Sequence, residues 1–418
     1  MLPFLHRRWS PEDLIERTIR RVGLADFGDA PFREGLQVFL RACTEEADLS
    51  LFGHFGTQWD VARFLSNLLR LRYEELQTPA ILDQRIERPI ILTGLPRSGT
   101  TFLHQLLAAD DSNLVPRIWQ LVHPYPKIGA QEGGDRRQQQ VARQLRIFRI
   151  LAPEFGRMHP VGADSPQECS EITAHIFASL RFDTTYCIPS YRHWLDAVGH
   201  LDAYRFHKRF LQHLQHQAGG ARQWVLKCPD HVFALSAIRT VYPDARLVFV
   251  HRDPVRVLAS AARLTEVLRK PFTRHIDRAA LGRQEYSRWS AGAELMIRAA
   301  DQEEFAEPIF HIRHRDIVSN PLGAVMGLYR HFGLRLAPGA ASRIERLVAE
   351  NPNGGYGANR YSFETYQIDP AEARESFAPY MQRFEVDAEY QGASAERIRM
   401  PSAGPAARSI SPLKSGSG

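Results

Sequence analysis

Gly94, Arg97, Ser98, Gly99, Thr100 and Thr101 stand in a stretch whose residue types suit holding an anion. It runs Pro89-Ile90-Ile91-Leu92-Thr93-Gly94-Leu95-Pro96-Arg97-Ser98-Gly99-Thr100-Thr101 and continues Phe102-Leu103-His104-Gln105-Leu106-Leu107: a short apolar strand, a tight turn, and the first turns of a helix. Glycines let the backbone approach an anion, and N–H groups at a helix start point at it with the dipole behind them. The spacing is nearly that of a Walker A loop, with Gly94, Gly99 and a hydroxyl at Thr101. The Walker lysine, which reaches the β- and γ-phosphates of a nucleoside triphosphate, is replaced by Thr100. The basic residue sits inside the loop instead, at Arg97. The anion expected here is therefore not a triphosphate.

Two further apolar runs end in polar turns: Gln223-Trp224-Val225-Leu226-Lys227-Cys228-Pro229-Asp230-His231, and Arg246-Leu247-Val248-Phe249-Val250-His251-Arg252-Asp253-Pro254. In an open α/β sheet, ligands bind beyond the carboxyl ends of the strands, so the three turns are expected to converge. Leu95-Pro96-Arg97-Ser98-Gly99-Thr100-Thr101 resembles the 5′-phosphosulfate loop of sulfotransferases that use 3′-phosphoadenosine-5′-phosphosulfate (PAPS). It is nearer the bacterial and tyrosylprotein-type branches, with Arg97 where the soluble animal enzymes usually carry Lys. The resemblance implies a P-loop NTPase-like α/β fold, a central parallel sheet flanked by helices, and Arg97, Ser98, Gly99, Thr100 and Thr101 against the donor. Arg252, with Ser260 eight residues on, resembles the family's 3′-phosphate signature. An arginine fork and a hydroxyl recognise that group by charge-assisted hydrogen bonds. The plainer roles are an Arg252 pair with Asp253 and a small core residue at Ser260. The Lys227 turn resembles the family's Leu-Lys-x-Pro-x-His segment, which implies a charge on the transferring sulfonyl group or the leaving phosphate. Its alternative is a surface lysine with an apolar stem. Asn359-Arg360-Tyr361-Ser362-Phe363-Glu364 resembles a C-terminal segment that closes over the nucleotide, with Arg360 as the phosphate contact. These matches run from about Pro89 to Phe384.

Sulfonyl transfer is an in-line displacement in which positioning and charge stabilisation dominate, and the acceptor needs a base within hydrogen-bond reach. Resembling sequences commonly place a Glu after a Trp beyond the loop helix. Here the pair is Trp119-Gln120, and Gln cannot take a proton. Three candidates replace it, in order of preference: Glu168, in a segment resembling the family's Pro-x-Glu stretch; His231, four residues past Lys227; and His123.

The elements that must position these residues read as follows. Residues 10 to about 80 are expected to be helical, with Ser10-Pro11-Glu12-Asp13 as a helix start and Gly23 as a stop. A second helix covers roughly Phe32–Ala47 and a third Thr57–Glu75. This gives an N-terminal helical layer (1–85) packed on an α/β domain (86–390). Within that domain, 151–220 is a helical, aromatic insertion that suits either an acceptor pocket or a plain cap. Helices are also expected over 136–149, from Pro229-Asp230 to about Val241, after Arg252, over 321–332 and over 369–383. A further strand is expected at 309–312. The tail, 391–418, is rich in Ser, Gly, Pro and Ala and is expected to be disordered.

With 418 residues, 44% hydrophobic and 24% charged, the chain has the composition of a globular protein with a sizeable core. A net charge of +6 suits an anionic ligand, while the lack of long Lys/Arg blocks or aromatic ladders argues against nucleic acid. No run of apolar residues is long enough to span a membrane, and the start lacks a signal-peptide core. Cys43, Cys169, Cys187 and Cys228 show no metal spacing, so a reduced, cytoplasmic setting and no metal are expected. The expected activity is transfer from PAPS to a hydroxyl or amine of a small-molecule, lipid or sugar acceptor, releasing adenosine 3′,5′-bisphosphate, by a chain that can form a homodimer. The competing readings are a P-loop kinase-like phosphotransferase and a nucleotide-binding module without catalysis.

Overall fold

The computed structural model describes residues 9–126, 136–151, 162–302, 305–350 and 362–389. Five strands form one parallel sheet: β1 (Ile90–Gly94), β2 (Asn113–Leu114), β3 (Gln223–Lys227), β4 (Arg246–His251) and β5 (Phe310–Arg313), in the order β2-β3-β1-β4-β5. The apolar runs read as strands are thus those of a sheet covered on both faces, and every residue of β1 and β4 is buried. Leu92 lies level with Lys227 on one side of β1, and Gly94 level with Val250 on the other. The loop strand is therefore central, and the turns after β3 and β4 flank its carboxyl end.

The N-terminal helices are α1 (Pro11–Val22), α2 (Arg33–Glu45) and α3 (Leu51–Gln77). Ser10 caps α1 by accepting the Asp13 N–H at 3.1 Å, and Gly23, with φ 76°, stops it. Helix α3 starts earlier than the sequence pattern suggests. Ser50 accepts the Gly53 N–H at 2.9 Å, and Gly53 is needed there because a Cβ would lie 2.0 Å from the Phe272 carbonyl oxygen. Side chains of all three helices join the buried cluster that also holds Leu226, Leu247 and Phe249 of the sheet.

The aromatic residues between 162 and 217 are chiefly core. Phe177, Phe182, Tyr186 and Tyr191 are fully buried, and each lies within 4.3–6.0 Å of the Phe39 ring. Beneath them a charged group is sealed in: Arg63 bonds Asp60 and Glu171, each at 2.7 Å, and Arg181 reaches the same two acids at 2.8 and 2.9 Å. Two acids thus face two guanidinium groups, while Arg63 Nη1 and Arg181 Nη1 are buried without a hydrogen-bond partner among the described residues. Near the C-terminus the helix expected over 369–383 is two, Pro370–Ser376 and Ala378–Arg383. Pro379 supplies no N–H, so the chain breaks and restarts at Phe377.

Candidate active site

Backbone constraints shape the loop between β1 and α4 (Thr100–Ala108). Gly94 has φ 150°, and a Cβ there would stand 2.3 Å from the Val250 carbonyl oxygen. Gly99 has φ 100°, and a Cβ would stand 2.9 Å from His314 Cδ2. Arg97 adopts φ 62° although it is not glycine, a conformation that surrounding contacts must hold. They do: the Arg97 carbonyl accepts from Arg252 Nη1 at 2.9 Å, and Arg97 Nε donates to Ser260 Oγ at 3.3 Å. The Ser98 hydroxyl is buried and meets no hydrogen-bond partner among the described residues. Thr100 is buried at the first turn of α4.

At the end of β3, Lys227 Nζ donates to Thr101 Oγ1 at 3.1 Å and to Glu168 Oε1 at 2.5 Å. The lysine side chain is 2% exposed and the glutamate 32%, so the carboxylate is the member of the pair that an incoming molecule can reach. Two neighbouring bonds fix Glu168 in place. The Cys169 N–H donates to the Lys227 carbonyl at 3.0 Å, and the Gln167 N–H to the Pro116 carbonyl at 2.8 Å. Arg117 and Pro166 form an antiparallel bridge beside them, so the acidic segment is stitched between β3 and the entry to α5 (Ile118–Val122). Gln120, at the place of the usual acid, accepts the Arg117 N–H at 3.0 Å, a capping role.

At the end of β4, Asp253 caps the helix Pro254–Arg269 by accepting the Val255 N–H at 2.9 Å. Arg252 Nε and Nη2 face the carboxylate of Glu389 at 3.0 and 2.9 Å, and Arg256 joins the same carboxylate at 3.2 Å. Ser260, two turns along, is 6% exposed. His314, against Gly99, is pushed down to about 4 by burial and by the guanidinium charges of Arg252, Arg256 and Arg97, so it is neutral near pH 7.

Contacts thus run unbroken from Glu168 through Lys227 and Thr101 into the loop, and from Arg97 to Ser260 and Arg252. The arrangement brings cationic groups and helix-start N–H groups to one end of the sheet, with two partly exposed carboxylates beside them, Glu168 at the Lys227 turn and Glu389 at Arg252. Such a site can hold a doubly anionic ligand and accept a proton. His231 sits apart from these contacts. It is 1% exposed, the Tyr204 hydroxyl meets its Nδ1, and its Nε2 has no partner among the described residues. Burial pushes its pKa well below the usual histidine value. With Tyr204, Cys169, Cys228 and Asp230 it lines a small cavity beside the Lys227 turn. His123 closes α5, and its carbonyl accepts from Arg137 at 3.1 Å. Arg360 lies outside the described residues. Sequence reasoning missed Glu389, Arg256 and His314. Arg256 carried a signal, being one helical turn beyond Arg252; Glu389 and His314 carried none.

The family model for the sulfotransferase family matches residues 89–338. The omega-hydroxy-beta-dihydromenaquinone-9 sulfotransferase Stf3 of Mycobacterium bovis is 23% identical over 292 residues, 67% of this chain and 71% of that protein. Among solved structures, the sulfotransferase STF1 from Mycobacterium tuberculosis H37Rv shares 29% identity over 89% of this chain and 99% of its own, with a TM-score of 0.77. The sulfotransferase STF9 from Mycobacterium avium shares 25% identity over 91% of this chain and 98% of its own, with a TM-score of 0.81.

Proposed function

This chain belongs to the sulfotransferase family, and we propose that it moves a sulfonyl group from PAPS to a hydroxyl, with the loop 94–101 on the 5′-phosphosulfate and Arg252 with Ser260 on the 3′-phosphate. PAPS supplies the sulfonyl group and a good leaving group, adenosine 3′,5′-bisphosphate. The loop suits that ligand: the Ser98 hydroxyl is buried without a hydrogen-bond partner among the described residues, and the N–H groups at the start of α4 follow it. The observation that carries the reading is the pair of contact sets Glu168–Lys227–Thr101 and Ser260–Arg97–Arg252, which lie on either side of β1.

In this reading Glu168 takes the proton of the acceptor hydroxyl. Lys227, with the loop N–H groups and Arg97, stabilises charge that builds on the transferring group and leaving oxygen. His231 ranks second as base, because burial makes its imidazole reluctant to hold a proton. The mycobacterial relative's name specifies a hydroxylated menaquinone. An alcohol on an apolar, lipid-like acceptor is therefore the first class to try, ahead of sugars and amines. No helix among the described residues is long and apolar enough to cross a membrane.

The test is transfer of labelled sulfonyl from PAPS to a mixed panel of lipid, phenolic, sugar and amine acceptors, alongside binding of adenosine 3′,5′-bisphosphate. Arg252→Ala is expected to weaken that binding about 10- to 100-fold, the scale of lost charge-assisted hydrogen bonds. Unchanged affinity would end the 3′-phosphate assignment, and transfer of phosphate from ATP to the same panel would favour the kinase-like alternative.

A further inference from the structure

Arg252 already holds an anion. Both oxygens of Glu389 face its Nε and Nη2, and Arg256, one helical turn on, closes on the same carboxylate. The contact spans 137 residues of sequence. The segment that delivers it is anchored: Arg313 donates to the Glu385 carbonyl at 3.2 Å, Val386 is buried, and the Glu389 N–H donates to Asp253 Oδ2 at 2.7 Å. Glu389 is 32% exposed, so its carboxylate can swing to water without unpacking a core.

We propose that Glu389 is an internal substitute for the 3′-phosphate of the nucleotide, and that Arg256 belongs to the 3′-phosphate site with Arg252. This rests on the reading of Arg252 given above. The physical reason lies in the charges. Arg252 and Arg256 stand on one face at a helix start, where two cations repel each other and meet the positive end of the dipole. A carboxylate relieves that repulsion while no nucleotide is bound. A phosphate carries more charge and one more oxygen for the same two forks, so it displaces the carboxylate. The cost of displacement is subtracted from the affinity of every ligand bearing a 3′-phosphate, donor and product alike. Ligands without that group leave Glu389 where it is. Glu389 therefore loosens the hold on the spent nucleotide, which would otherwise keep the whole clamp.

The experiment is calorimetric titration of the full chain with adenosine 3′,5′-bisphosphate and, separately, adenosine 5′-monophosphate, for the native protein, Glu389→Gln, Arg256→Gln and Arg252→Ala. Glu389→Gln keeps the size of the side chain and removes its charge. It is expected to tighten the bisphosphate about fivefold, the scale of a partly exposed ion pair, and to leave the monophosphate within about twofold. Arg256→Gln is expected to weaken the bisphosphate alone. Retained monophosphate binding reports that each variant is folded. Bisphosphate affinity that is unchanged or weaker in Glu389→Gln overturns the role of Glu389, and unchanged affinity in Arg256→Gln removes Arg256 from the site. If Arg252→Ala is also without effect, it is the underlying 3′-phosphate reading that has failed.

Discussion

Lys227 and Glu168 meet at 2.5 Å beyond the end of β3, the lysine buried and the carboxylate a third exposed. The pair is asymmetric in a useful way. The cation is fixed among protein groups where dielectric screening is weak, and its partner is the member turned toward solvent.

Glu168→Gln tests the carboxylate. It keeps the shape and a hydrogen bond from Lys227 but cannot take a proton. Its kcat is expected to fall about 10²- to 10⁴-fold, the range for loss of a general base. Binding of adenosine 3′,5′-bisphosphate should stay within about twofold. A kcat within tenfold of the native value would move the base elsewhere, with His231 next in line.

Lys227→Met separates charge from packing. The apolar stem is retained, and the charge beside Thr101 is lost. We expect kcat to drop about 10²- to 10³-fold, as when a transition-state donor is removed. The stability cost should be only about 1 kcal/mol by urea unfolding, because Glu168 can turn to water, unlike a buried ion left alone. A loss above about 3 kcal/mol would mean that the pair is chiefly structural.

Gly94→Ala addresses the loop backbone. The new Cβ meets a carbonyl oxygen at 2.3 Å on the neighbouring strand, which cannot move without breaking the sheet, and φ 150° is strained for any side chain. A loss of roughly 3 kcal/mol or more in unfolding free energy is expected, together with nucleotide binding. Full stability would show that β1 and β4 can part locally.

Acid sensitivity should centre on Glu75. Burial alone would raise its pKa, but hydrogen bonds from Arg209 and His213 outweigh it and hold the carboxyl at about 2 against an ordinary 4.5. A depressed acid stabilises the fold above its unfolded pKa, and that contribution is lost as pH falls through the folded value. The stability deficit of Glu75→Gln relative to the native chain should therefore be largest near pH 7 and shrink steadily below about pH 4.5. A deficit that stays constant between pH 7 and pH 3 would contradict this.

Local pattern made four of the five strands and the loop legible; the two-residue edge strand β2 was too short to show. Apolar runs ending in Gly94, Lys227 and His251 could only be buried strands, and the rule that ligands gather at their carboxyl ends brought the three turns together. What stayed hidden depends on distant partners. The apolar pattern starts α3 at Thr57, and only the Phe272 backbone lying against Gly53 shows why glycine stands inside the longer helix. The aromatics of 177–191 could have lined a pocket, and the Phe39 ring from α2 makes them core. Arg252 announced an anion site, but no spacing rule links it to Glu389.

The placement of β1 between β3 and β4 has a metrical consequence. Adjacent strands in a sheet lie about 4.8 Å apart, so the Lys227 edge and the Arg252 edge are separated laterally by two such steps, roughly 10 Å. Backbone hydrogen bonds set that span, and because β1 is buried along its whole length the span cannot stretch to suit a visitor. In the proposed site the sheet would act as a gauge, and a nucleotide would be admitted by how far apart it carries its two charges.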